Sequence, residues 1–287
     1  MIKLLPEERQ NVARYIHSIC AITLDRSKDY LIESRLSGLI EENNCNSFSQ
    51  LVALARSEAN GALKRRIIDE ITTNETFFFR DNSPFDLLRY KIIPEMIDRR
   101  SRSSLSVPIR IWSAACSTGQ EIYSIAMILR ELLGEMNGYS VRLVGTDISD
   151  QAVARASEGI FSQIEIARGL TDAARVKCFA PHPKGWKIRD EIRGLVSFRK
   201  LNLMEDFSGL GRFDIIFCRN VAIYFSEADR ASLFNRIAQR LEPDGCLVIG
   251  AMESLGGVCP QFESKRHLRS VYYQLSPSSI RQKVTRQ

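Results

Sequence analysis

The sequence predicts an α/β fold: a doubly wound, mostly parallel sheet preceded by a small all-α domain. Three observations predict it. Up to about residue 72, leucine and isoleucine recur at helical spacing and no strand-like run appears. Beyond that point, apolar strand-like segments alternate with helical ones, as they do in a sheet built from βα units. The first of those strands also runs straight into a tight loop of very small residues and then an amphipathic helix, in IRIWSAACSTGQEIYSIAMIL.

Helices are expected over residues 7–20, 29–43, 48–56 and 62–71, with polar turns at 41–47 and 58–61 between them. Strands are expected over 109–112, 141–147, 196–198, 213–218, 246–251 and 270–275. The clearest later helix is 228–241, which Pro243, Asp244 and Gly245 are expected to stop before the next strand. The boundaries that follow are 1–72 for the helical domain and 73–287 for the α/β domain. The tail 276–287 is polar and basic and is expected to be loose.

Composition narrows the function. No apolar run approaches the ~20 residues of a membrane span, and the start, MIKLLPEERQ, is too acidic for a signal peptide, so a cytoplasmic protein is expected. The 7 cysteines contain no CxxC pair and the 3 histidines are far from one another, which argues for reduced thiols and against a metal site. A net charge of +6 allows an acidic partner, although a merely soluble basic surface explains it equally well.

Ligands of doubly wound sheets bind outside the carboxyl ends of the strands. At the first such end, Ser113 to Gly119 has almost no side-chain bulk to hold a nucleotide or sulfonium cofactor off the main chain. Gln120 and Glu121 follow where a phosphate loop would carry Lys, so this loop favours a cation over phosphate. At the second end, Asp147 stands where an acidic residue accepts hydrogen bonds from ribose hydroxyls; capping the next helix is the competing reading, a task Ser149 or Asp150 serves as well. At the third, FDIIFCRNVAIYF carries an apolar strand into Arg219 and Asn220, then Tyr224, and buried polar groups there need partners. A further patch, TTNETFFFRD, packs Phe77, Phe78 and Phe79 between Asn74, Thr76 and Arg80. Those rings cannot all face one core, so some are expected to line a pocket, unless the segment is simply an aromatic domain hinge.

With these patches in order, the chain resembles the CheR family of S-adenosylmethionine-dependent protein-glutamate O-methyltransferases, which act on chemotaxis receptors. Asn74, Thr76, Phe78, Phe79 and Arg80 meet the family's Asn-x-Thr-x-Phe-Phe-Arg pattern, and residues 112–124 meet its WSAA(C/S)STGxExYS loop. Asp147 matches its acidic strand end, Asn202 and Leu203 its NL dipeptide, and residues 217–225 its FCRNVxIYF block. The resemblance implies a Rossmann-like, doubly wound methyltransferase domain with a small β-rich insert at about 161–198, where 186–189 and 195–198 look like short strands. It also implies that Asn74, Thr76, Arg80, Glu121, Asp147, Asn202, Leu203, Arg219 and Asn220 bind the cofactor, S-adenosyl-L-methionine, whose product is S-adenosyl-L-homocysteine. Asp147 would hold the ribose and Asn202 would lie near the adenine, while Arg80 and Tyr224 would be the catalytic pair beside the transferred methyl group.

The residue inventory suits that reaction. A glutamate carboxyl, with its reference pKa of ~4.3, is already an anion at neutral pH and needs no general base. Alignment is what remains to be supplied, at a near-attack separation of ~3–3.5 Å. The implied partner is the cytoplasmic helical region of a chemoreceptor, met by a monomer. The insert's CFAPHPKGWKIRD lacks the longer glycine-containing loop expected for docking a receptor's C-terminal pentapeptide, which argues against a tether. Receptor contact through residues 29–43 sets Arg35 against Glu33, Glu41 and Glu42; the stronger basic cluster Lys64, Arg65 and Arg66 meets an acidic receptor surface or is merely a solvated helix face. Nucleic acid is not expected, because CRNVAIY replaces the Asp/Asn-Pro-Pro-aromatic tetrapeptide of base N-methylation. Gln120, Ile122 and Ala251-Met252 depart from the family's usual residues, and none of them is assigned to catalysis.

Overall fold

The computed structural model describes residues 2–101 and 106–284; the last residues of the tail expected to be loose lie outside the described residues. The chain opens with a bundle of α1 (Pro6–Cys20), α2 (Asp29–Glu42), α3 (Phe48–Ser57) and α4 (Ala62–Ile71). Its helical periodicity has an evident product. Val12, Ile16, Ile32, Leu36, Ile40, Phe48, Leu51 and Ile67 close into one buried core, and Ser47 caps α3 by accepting a hydrogen bond from the Gln50 N–H. Arg35, a candidate receptor contact by sequence, is occupied instead: its guanidinium donates to the carbonyls of Ile71 and Thr72 at 2.8 and 2.9 Å, stitching the end of α4 to the segment that leaves the bundle.

Past the bundle come α5 (Ser83–Leu87), a π-helical turn (Leu88–Ile92) and α6 (Ile93–Arg100), which together feed β1 (Val107–Ala114). Then follow α7 (Gln120–Leu133), β2 (Tyr139–Asp147), α8 (Asp150–Glu158), β3 (Ile160–Phe161), α9 (Gln163–Ala167), α10 (Asp172–Cys178), β4 (Phe179–His182), β5 (Gly185–Ile188) and α11 (Asp190–Arg193). The chain continues with β6 (Val196–Lys200), β7 (Phe213–Cys218), α12 (Glu227–Arg240), β8 (Leu241–Ile249), β9 (Phe262–His267), β10 (Ser270–Leu275) and α13 (Pro277–Val284). The large sheet has 7 strands in the order β6-β2-β1-β7-β8-β10-β9. β6 through β8 run parallel, while β10 is antiparallel to β8 and to β9. From β1 the chain winds outward through β2 to β6, then returns to β7 on β1's other side, so the topological switch lies between β1 and β7.

The period-2 alternation of the central strands feeds two cores. Ile109 and Ile111 face one with Ile215, Phe217 and α7's apolar face; Trp112 and Ala114 face the other with Ile216, Cys218 and α12. Two expectations change. Pro243, Asp244 and Gly245 lie within β8 rather than ahead of it, where they take up a register shift opposite Phe213 and Ile215. Residues 195–198, also expected as a strand of the insert, belong to the large sheet, because β6 pairs in parallel with β2. The insert's own sheet is the 3-stranded antiparallel β3-β5-β4.

Candidate active site

At the switch point the carboxyl ends of the parallel strands open into a cleft of about 920 Å³, its mouth included. After β1, backbone excursions build the floor: Ala115 and Ser117 have φ of +58° and +51°, and Gly119, at +95°, precedes α7. A Cβ on Gly119 would press to 3.1 Å from the Ala156 Cβ, so the turn needs glycine both for its conformation and for its contact with α8. At the end of β2, Asp147 is 6% exposed, and its carboxylate accepts from the Ser117 N–H at 2.8 Å and the Ser149 N–H at 3.0 Å. Ser149 caps α8, accepting from the Ala152 N–H. The competing reading of Asp147 as that cap therefore falls to its neighbour, and Asp147 is left to line the cleft. Burial pushes its carboxyl above the ordinary range, against the opposing pull of the Ser149, Ser117 and Ile148 N–H groups.

The first turn of α7 contributes Glu121. Its carboxylate accepts from the Ser113 hydroxyl at 2.7 Å and pairs with Arg219 at 2.9 Å. Arg219, at the end of β7 and almost wholly buried, also pairs with Asp81 at 2.8 Å and donates to the Arg80 carbonyl at 2.9 Å. One guanidinium thus ties the β7 end, the α7 start and the 74–81 segment together. Asn220, next in line, takes φ of +58°, and its N–H donates to Glu253 at 2.8 Å, as the Gly250 N–H does at 2.6 Å. Burial raises the Glu253 carboxyl, opposed by the N–H groups it accepts from.

Every site residue singled out in the sequence lines this one cleft. Asn74, Thr76 and Arg80 come from the segment after the bundle, Asn202 and Leu203 from the chain after β6, and Tyr224 from the short 3₁₀ turn after Asn220. Arg80 donates to the Glu75 carbonyl at 2.8 Å and pairs with no carboxylate among the described residues. The phenylalanine run divides as its geometry requires. Phe78 is fully buried against Phe161 and Phe179, Phe79 packs on Phe85 and borders a second surface cleft, and Phe77 lies beneath arginines.

Sequence reasoning missed one wall, which Cys20, Ile22, Thr72 and Thr73 of the bundle and its exit supply. The bundle is held there by bonds from Asn202 to the Ile19 carbonyl, from the Thr23 N–H to the Tyr224 carbonyl and from Ser149 to Asp69. Cys116, in the loop already expected to face the ligand, lines the cleft as a thiol that burial, then the charges of Asp147 and Glu121, raise well above its ordinary pKa.

A cofactor with a ribose, an adenine and a zwitterionic methionine end fits the donor set. Asp147 is a carboxylate acceptor, Ile148, Leu201 and Leu203 give apolar wall, Glu121 is anionic, and Arg219 keeps a buried Nε without an acceptor among the described residues. Strand order, switch-point cleft and lining define the class: a methyltransferase with an S-adenosylmethionine-binding α/β domain. Residues 74–270 match the family described as CheR methyltransferase, SAM binding domain, and residues 7–72 match CheR methyltransferase, all-alpha domain. The chain belongs to the CheR methyltransferase family. It is 40% identical over 277 residues to chemotaxis protein methyltransferase 1 of Vibrio cholerae serotype O1, covering 96% of this chain and 98% of that one. It is 37% identical over 265 residues to chemotaxis protein methyltransferase Cher2 of Pseudomonas putida, covering 91% and 94%.

Proposed function

We propose that the protein transfers a methyl group from S-adenosyl-L-methionine to glutamate side chains in the cytoplasmic helical region of chemoreceptors, giving glutamyl methyl esters and S-adenosyl-L-homocysteine. The observation that carries this reading is the composition of the cleft: carboxylates at Asp147, Glu121 and Glu75, an Arg80 in no ion pair among the described residues, and no histidine among the described lining residues. When bound, the cofactor supplies a methyl group already activated by a sulfonium. The target carboxylate is ionised without help, so the protein's work is binding and orientation.

In this reading Asp147 holds the ribose, Glu121 faces the ammonium, and Asn74, Thr76, Asn202, Leu203, Arg219 and Asn220 complete the cofactor's surroundings. Arg80, which borders the cofactor as well, and Tyr224 orient the target carboxylate, with Arg80 on the oxygen that does not react or on the cofactor's carboxylate, because a tight contact to the reacting oxygen would lower its nucleophilicity. The protein works as a monomer in the cytoplasm, needs no metal and uses no pentapeptide tether; the β4–β5 hairpin turns over only Pro183 and Lys184, leaving little loop to grip a tail. Among the described residues no helix is long and apolar enough to cross a membrane.

The test is to incubate the protein with methyl-labelled cofactor and membranes bearing chemoreceptors, then add alkali. Volatile labelled methanol is the expected product, since a carboxyl methyl ester is alkali-labile. Alkali-stable label, or label in RNA, overturns the reading.

A further inference from the structure

Arg80 is aimed by an arrangement that reaches outside the cleft. Its guanidinium lies 5.7 Å from the centre of the Phe77 ring, and Arg168 stacks over the same ring at 4.2 Å. Arg168 also pairs with the Glu75 carboxylate at 2.8 Å, while Arg80 donates to the Glu75 carbonyl. Arg168, then Arg80, holds the Glu75 carboxyl below its usual range. Arg168 directly follows α9, in the insert, and reaches the segment by close backbone contact. The next residue, Gly169, takes φ of +103°, and a Cβ there would lie 1.9 Å from the Phe78 carbonyl oxygen. Two residues, Glu75 and Phe77, are therefore each gripped by one arginine from the cleft and one from the insert.

We propose that Phe77 and Arg168 are positioning residues for Arg80, and that through them the β-rich insert sets the rate of methyl transfer. The proposal rests on the orienting role given to Arg80 above. With no ion pair among the described residues to fix it, Arg80 takes its direction from a carbonyl and the Phe77 ring, over which Arg168 also lies. A guanidinium free to swing samples the productive orientation less often, which lowers turnover far more than cofactor affinity.

The test compares Phe77→Leu, Arg168→Ala and Arg168→Lys with Arg80→Ala, measuring kcat for receptor methylation and the Kd of S-adenosylhomocysteine by calorimetry. The ion pair and the cation–π contacts are exposed and individually weak, so Phe77→Leu and Arg168→Ala should each lower kcat by about fivefold. Kd should change much less than kcat, and Arg168→Lys, which keeps the charge for Glu75 but loses the planar face over Phe77, should restore only part of the rate. Introduced into Arg80→Ala, neither substitution should lower kcat further, a non-additivity that general loosening of the fold does not produce. Full turnover in both single variants, an equal further loss in the Arg80→Ala background, or a loss confined to Kd each overturns the proposal. Wild-type turnover in Arg80→Ala itself would show instead that the role given to Arg80 is wrong.

Discussion

At its amino end β7 places Asp214, fully buried, between Arg100 and Arg110; at its carboxyl end Arg219, almost as buried, sits between Glu121 and Asp81. The first cluster is closed. Both Asp214 oxygens are used, one by Arg100 and Arg110 at 2.8 and 3.1 Å, the other by the Arg110 N–H and Nε at 2.7 and 3.2 Å. Its arginines reach on to Asp244 and Glu242. The second borders the cleft: Arg219 and Glu121 line it, the buried Arg219 Nε has no acceptor among the described residues, and the neighbouring Asp147 carboxyl is held above its ordinary pKa by burial. Buried charge is costly at both ends, but a complete set of partners makes it scaffold, while an incomplete set beside a cavity leaves bonding capacity for a ligand.

The largest effect that comparison predicts is at the closed end. Asp214→Ala leaves two arginines facing a hole and should cost about 3–5 kcal/mol of stability, read by denaturant unfolding, with cofactor affinity of the folded fraction unchanged. An affinity loss as large as the stability loss would erase the distinction between the two ends.

A second effect concerns pH. If Asp147 holds the ribose, as proposed, it accepts most strongly when ionised, and its folded pKa lies above the ordinary 3.8. Cofactor affinity should therefore be flat near neutrality and fall as pH drops through that raised value. The same shift acts on cofactor-free stability with the opposite sign: the folded state holds the proton more tightly, so this contribution is fully present below the unfolded pKa and is lost as pH rises through the folded one. The difference between wild type and Asp147→Ala in pH titrations of binding and of unfolding isolates both. Parallel trends in the two titrations would contradict the assignment.

The smallest effect is at Tyr224, whose hydroxyl has no hydrogen-bond partner among the described residues. Tyr224→Phe should lower kcat several-fold, about the value of one neutral hydrogen bond, and leave Kd for the cofactor alone. An equal loss in both would move Tyr224 from orientation to cofactor binding.

Legibility in the sequence followed amphipathicity. The bundle helices and the central strands were visible because their apolar spacing is regular, and α4 was expected over the residues it occupies. The edge strand β9 was not, since Glu263, Ser264, Lys265 and Arg266 are exposed along it and carry no alternation. The helical run from α5 to α6 was missed because it is broken into short pieces around a π-helical turn. The loop after β1, Asp147, Arg219 and Asn220 were legible as small or polar groups at strand ends, where a sheet leaves room for a ligand; Asn74, Thr76 and Arg80 stood outside the sheet pattern, and Asn202 and Leu203 were marked only by the family resemblance. Their partners were not: Arg219 meets Glu121 and Asp81 across long stretches of chain, and Ile19 meets Asn202 only because the bundle folds over the sheet.

The most direct test of the central contrast is a calorimetric titration of S-adenosylhomocysteine into the wild type, Asp147→Ala and Asp214→Asn under the same neutral conditions. Losing a hydrogen bond to an ionised acceptor, ~1.5–3 kcal/mol, should weaken binding by at least about tenfold in Asp147→Ala. Asp214→Asn should bind as the wild type does. Equal affinities in Asp147→Ala and the wild type, or a comparable loss in Asp214→Asn, would contradict the account.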